Sequence, residues 1–182
     1  MATSYSFKQR PNAVADLQKR LRSHHNMGMY SDDLMKGLSV LKYDKGSDDG
    51  PALMIISFKV TQNLCNGFET LHGGAQATAV DIFTSVILHE VNPVPSVTTD
   101  LHVSYVSAAP IGSTVICICR VEKSSGSLHF SSCDIYREVV EIDSNQRSKK
   151  SRRVLVAKGL HTKYVLKKRT KGFDGEKLRS KL

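Results

Sequence analysis

Asp81 is the single acidic residue in an otherwise almost wholly apolar run from Ala75 to Leu88, and Gly73 and Gly74 open that run. A carboxylate in such surroundings is costly to bury unless hydrogen-bonded, so the residue needs a reason to be there. One reason is structural, a tie to neighbouring Ser or Thr hydroxyls. The other is chemical, a general base for activating water. Glycines at a helix start leave backbone N–H groups unshielded by side chains, where the helix dipole favours negative charge. That is a place for a developing oxyanion, and with a nearby base it suits attack of water on an activated carbonyl.

The element that must position these groups is a helix from Gly73 to about Glu90. Thr70 is a plausible cap, and Pro93 and Pro95 stop any continuation. Its apolar letters (among them Ala79, Val80, Ile82, Phe83, Val86 and Ile87) fall on every side, so the helix is expected to be enclosed by protein. Eight residues separate Gly73 from Asp81, about 12 Å along the axis. One reacting carbon cannot meet both in one subunit. Two such helices running antiparallel about a two-fold axis would bring Asp81 of one chain to Gly73 of the other, so a composite site at a dimer interface is expected.

Strands account for the rest. Pro51 to Thr61 is rich in Ile, Phe and Val, and Val97 to Val106 alternates, with Thr98 on the polar-lettered side. Thr114 to Glu122 and Leu128 to Val140 flank a hairpin turn at Lys123-Ser124-Ser125-Gly126-Ser127, Val154 to Val165 is the last strand, and Leu38 to Tyr43 suits an edge strand. Asn12 to Arg22 reads as a short amphipathic helix. The order predicts an α+β fold with one antiparallel sheet wrapped around one helix. The expected organisation is an N-terminal helical segment over 1–37, a main domain over 38–165 and a basic tail over 166–182.

The segment Asn66 to Asp81, with Leu71-His72-Gly73-Gly74 and Asp81 in register, then Asp100 to Tyr105 and Pro110-Ile111-Gly112, resembles the hotdog-fold acyl-CoA thioesterases. It is most similar to the group containing bacterial PaaI and its mammalian relatives, over roughly Ser39 to Val165. The resemblance implies hydrolysis of acyl-CoA to free acid and CoA without metal or organic cofactor, by dimers sharing one long sheet and paired into tetramers. It assigns Asp81 to the water, and the Gly73 amide and Asn66 side chain to the thioester carbonyl, with His72 beside them. Gly74 and Phe68 are taken as substrate-binding. Thr98 matches a position where relatives often have Ser, whose hydroxyl helps to hold the water. A hotdog domain that binds acyl-CoA without turning it over is the alternative. For the acyl pocket, Phe68, Met54, Phe83 and Ile87 are candidates, although such residues on buried elements are commonly plain core.

At 182 residues and 40% hydrophobic content the chain can bury one good core. No apolar run approaches the ~18 residues of a membrane span, and the polar N-terminus lacks a signal-peptide core. Cys65, Cys117, Cys119 and Cys133 show no metal-ligand spacing and read as thiols; Cys117 and Cys119 share a strand face. His24, His25, His89, His102, His129 and His161 are scattered over separate elements and read as surface or supporting residues, so no metal is expected.

The chain's net charge of +9 is uneven: residues 141–182 carry 14 Lys and Arg against 4 Asp and Glu, a net +10. One basic cluster, Arg147 to Arg153, reads as an extended loop between the last two strands; the other, Lys167 to Lys181, as a solvated tail. Attraction of CoA phosphates is one use for them. Nucleic-acid binding is a competing use, but interleaved aromatics and a recognisable motif are missing. Ser180-Lys181-Leu182 matches the address read by the peroxisomal import receptor, so residence in peroxisomes or a related microbody such as the glycosome is expected, and otherwise the cytoplasm.

Overall fold

Short alternating segments and one long apolar one produce six strands and a central helix. The computed structural model describes residues 12–23, 31–46, 51–142 and 149–166. In chain order the elements are α1 (Ala13–Ser23), α2 (Asp32–Met35), β1 (Ser39–Asp44), β2 (Leu53–Lys59), α3 (Gly73–Val91), β3 (Ser96–Tyr105), β4 (Thr114–Ser125), β5 (Leu128–Ile142) and β6 (Lys149–Val165). All strands join one antiparallel sheet in the order β1-β2-β4-β5-β6-β3. The α+β expectation of an antiparallel sheet around one helix therefore holds.

The helix packs by a single stripe. Gln76, Ala79, Val80, Phe83, Thr84, Ile87 and Leu88 are its buried positions, the i, i+3, i+4 spacing of one helical face. Beneath them lie Met54, Ile56 and Phe58 of β2, Val115, Cys117 and Cys119 of β4, and Cys133 and Ile135 of β5. Each Met, Ile, Phe and Val among them contributes about 1.5–3 kcal/mol by leaving water. Enclosure on every side is thus corrected for the single chain: a second apolar flank, with Ala75, Ile82 and Val86, is only partly covered. Leu17 and Leu21 of α1 join the same core cluster. Met54, Phe83 and Ile87, considered for an acyl pocket, are fully buried core instead.

Gly159 sets how closely α3 approaches β6. A Cβ added there would lie 2.5 Å from Cγ1 of Val80, so any larger residue forces the Val80 side chain or the helix to shift.

Two sequence boundaries shift. The β4–β5 strands run on until Ser125 pairs with Leu128, leaving a turn at Gly126 (φ 62°). The β5–β6 ladder continues to Ile142 and Lys149, so Arg152 and Arg153 are in a strand and not in a loop, because cross-strand hydrogen bonding overrides a polar, charged composition. Arg147, Ser148, the Lys167 to Lys181 tail, Ser180-Lys181-Leu182, His24 and His25 lie outside the described residues.

Candidate active site

The helix start is built by the loop before it. Asn66 Oδ1 accepts from the backbone N–H groups of Phe68 (3.0 Å) and Thr70 (3.2 Å) and from the Thr70 hydroxyl (3.1 Å). With the oxygen so committed, the amide NH2 is the group left to donate to a ligand. Thr70 is therefore a support for Asn66 and not the cap. The N-cap is His72, whose Nδ1 accepts from the Gly74 N–H at 2.8 Å. That bond occupies the Gly74 amide, and it puts the ring proton on Nε2. Among the described residues no acceptor sits on the Gly73 N–H, which is a free donor at the positive end of the helix dipole. The Gly73 carbonyl accepts from the Tyr105 hydroxyl at 3.2 Å, a contact the sequence reading did not foresee. Phe68 is 88% exposed on the same loop.

Two turns along α3, the Asp81 side chain is 43% exposed, so the carboxylate lies at a protein surface within one chain. Its Oδ1 accepts from the Thr98 hydroxyl at 3.0 Å and lies 3.3 Å from Nε2 of His161. Among the described residues its Oδ2 has no partner.

Thr98 reaches this position because of a bulge. Strict alternation along β3 would group Thr98 with Asp100 and His102, away from Leu101, Val103 and Tyr105. The β3–β6 register slips between Thr98 and Asp100, and the extra residue switches the faces. Thr98 opposite Lys163 and Leu101 opposite His161 consequently share the helix side of the sheet.

His161 and Lys163, two residues apart on β6, complete the cluster. His161 is 1% exposed; its Nδ1 lies 2.6 Å from the Thr84 hydroxyl and its Nε2 3.0 Å from that of Thr98. Thr84 donates to the Val80 carbonyl at 2.6 Å, so it must accept from His161, which assigns the imidazole proton to Nδ1 and a lone pair to Nε2. Burial lowers the His161 pKa and keeps the ring neutral, against the opposing pull of Asp81. Lys163 donates to Ser85 Oγ at 2.9 Å and to Thr98 Oγ1 at 3.4 Å, and burial lowers its pKa too. His161 is a supporting residue in direct contact with the candidate base. The His161-Thr162-Lys163 alternation on an inward strand face was the available signal, but nothing local ties it to a helix 77 residues earlier.

Asp81 and Thr98 are thus brought together with His161, whereas Asn66, His72, Gly73 and Gly74 form a separate cluster at the far end of the first two turns. The first group can hold and deprotonate a water; the second can polarise a carbonyl.

Residues 68–142 match the family described as the thioesterase superfamily. Acyl-coenzyme A thioesterase 13 of Homo sapiens is 33% identical over 116 residues, spanning 63% of this chain and 74% of that protein. Zebrafish thioesterase superfamily member 2 has the same fold (TM-score 0.66, 23% identity, 84% of this chain and 98% of that one). So has a variant of the phenylacetic acid degradation protein PaaI from Thermus thermophilus (TM-score 0.55, 18% identity, 74% and 100%). The chain therefore belongs to the thioesterase superfamily, as a hotdog-fold thioester hydrolase of the acyl-CoA thioesterase group.

Proposed function

We propose that the chain hydrolyses acyl-CoA thioesters to free acid and CoA by Asp81-assisted attack of water, in a site shared between two protomers. The Gly73 N–H and the Asn66 amide of one protomer bind the thioester oxygen. Asp81 and Thr98 of the other hold the water. Oδ2 of Asp81 takes a proton as the water oxygen adds to the carbonyl carbon, and the oxyanion is stabilised by the two N–H donors. Collapse breaks the C–S bond, and the proton held by Asp81 passes to the leaving thiolate. Thioester carbonyls are electrophilic enough that no Ser or Cys nucleophile is needed.

The observation that carries the reading is the Asp81–Thr98–His161 cluster, a carboxylate with one oxygen fixed and the other open. The shared site is supported by the eight-residue separation on one rigid helix, and by β3, an edge strand exposed along nearly its whole length and available to pair with a second copy. Arrangement as a homotetramer, attraction of CoA phosphates by the basic residues, and peroxisomal or glycosomal residence through Ser180-Lys181-Leu182 belong to the same proposal.

Complementation tests it. Asp81→Asn and Asn66→Asp chains are each expected to be nearly inactive in a thiol-release assay. Mixed dimers of the two contain one site with both wild-type halves and should recover a substantial part of the activity. Wild-type turnover by Asp81→Asn homodimers would refute the mechanism, and an inactive mixed dimer would refute the sharing.

A further inference from the structure

A cavity of about 450 Å³ opens between α1, α2 and the second flank of α3, and Asp81 stands on its wall. That volume is within the ~300–1,000 Å³ range of small-molecule sites. Its apolar lining comes from Leu17 and Leu21 of α1, Met35 of α2, and Ile82 and Val86 of α3. Arg20 and Glu90 also line it, and their side chains bridge α1 and α3 at 2.6 Å. Resting on the thioesterase reading, we infer that this cavity receives the acyl chain, that the substrates are medium-length aliphatic acyl-CoAs, and that the Arg20–Glu90 ion pair is the end wall that sets the length.

The residues of α3 that line the cavity, from Asp81 through Ile82, Ser85, Val86 and His89 to Glu90, follow one helical face. Nine residues of rise place Glu90 about 13.5 Å beyond Asp81. A zigzag of tetrahedral carbons with C–C bonds of about 1.5 Å advances about 1.25 Å per carbon, so about eleven carbons span that distance. A chain that continued further would meet a charged pair whose desolvation opposes it. The polar groups near the mouth do not obstruct entry, because Ser85 already donates to the Asp81 carbonyl at 2.6 Å and accepts from Lys163. The N-terminal helices thereby acquire a role: α1 and α2 supply Leu17, Leu21 and Met35 to the lining shared with Ile82 and Val86 of α3. Carbonyl capture by one protomer and chain burial in the other place the scissile carbon at Asp81.

The test is the chain-length profile of kcat/KM over saturated acyl-CoAs from about four to eighteen carbons, with an aromatic acyl-CoA for comparison. The wild-type optimum is expected near eight to twelve carbons. Val86→Phe, about 7.5 Å beyond Asp81, narrows the cavity. It should lower the ten-carbon to four-carbon ratio of kcat/KM at least tenfold, the scale of discrimination in an apolar pocket. Arg20→Ala/Glu90→Ala, on the outer surface, should move the optimum to longer chains by about two to four carbons, and this arm holds even if Val86→Phe does not fold. An optimum at aromatic or four-carbon groups, or a length profile unchanged in the double variant, would overturn the cavity assignment while leaving the thioesterase reading intact. Failure of the wild type on every thioester would instead defeat that reading.

Discussion

Thr98 is the residue whose contribution the geometry specifies most sharply. Its hydroxyl donates to Asp81 at 3.0 Å, lies 3.0 Å from the His161 Nε2 lone pair and accepts from Lys163 at 3.4 Å. Thr98→Val replaces that hydroxyl with a methyl of nearly the same size, and Thr98→Ser removes the methyl while keeping the hydroxyl. A hydrogen bond to a charged group is worth about 1.5–3 kcal/mol. If that orienting bond matters in the transition state, then at about 1.36 kcal/mol per decade the Val variant loses roughly 10-fold to 150-fold in kcat. It also removes the acceptor of the long Lys163 bond at 3.4 Å, a stability cost of about 0.5–1.5 kcal/mol. The Ser variant should stay within about threefold, because its bonds survive. Steady-state thiol release gives kcat and KM, and thermal denaturation gives the stability change. A Val variant with wild-type kcat, or a Ser variant as damaged as the Val variant, would refute the role assigned to the hydroxyl.

Three further outcomes are expected. Asn66→Asp keeps the acceptor that braces Phe68 and Thr70 but loses the donated N–H, so kcat should fall about a hundredfold to a thousandfold with little change in melting temperature; a smaller kinetic loss would remove Asn66 from the oxyanion site. His161 has a folded pKa below its ordinary 6.5 because it is buried, so below about pH 6.5 the unfolded chain binds a proton that the folded chain resists, and stability falls as pH drops. His161→Gln should flatten the decline in melting temperature between about pH 6.5 and 5 without abolishing it, since buried His129 is shifted the same way; an unchanged slope would show that His161 is not the group responsible. Gly159→Ala forces a Cβ to 2.5 Å from Val80 and should cost about 1–3 kcal/mol in chemical denaturation, with part recovered by adding Val80→Ala; a neutral single variant would mean that α3 can lift off the sheet freely.

What the sequence determined by itself is local. A continuous apolar run and its punctuation placed α3 between Gly73 and the prolines, and the apolar runs located every strand to within about three residues except the start of β6 at Lys149, because helix and strand preferences act over neighbours on one chain. The Asn66 to Asp81 pattern named the residues of both candidate clusters except His161 and Lys163, and helix rise alone separated the clusters by more than one carbonyl can span. The tertiary structure decided everything that depends on register. Beside the edge strand β3 it placed β6, some sixty residues away, and so brought His161 and Lys163 to the candidate base. One bulged residue turned Thr98 from the polar side of its strand to the helix side. The capping role passed from Thr70 to His72 because Asn66 had already engaged Thr70. It also left Asp81 partly exposed beside a cavity under α1, where composition alone suggested a fully buried carboxylate. A strand's partner and its bulges are fixed by packing summed over the whole sheet, and no window of neighbouring residues contains that sum.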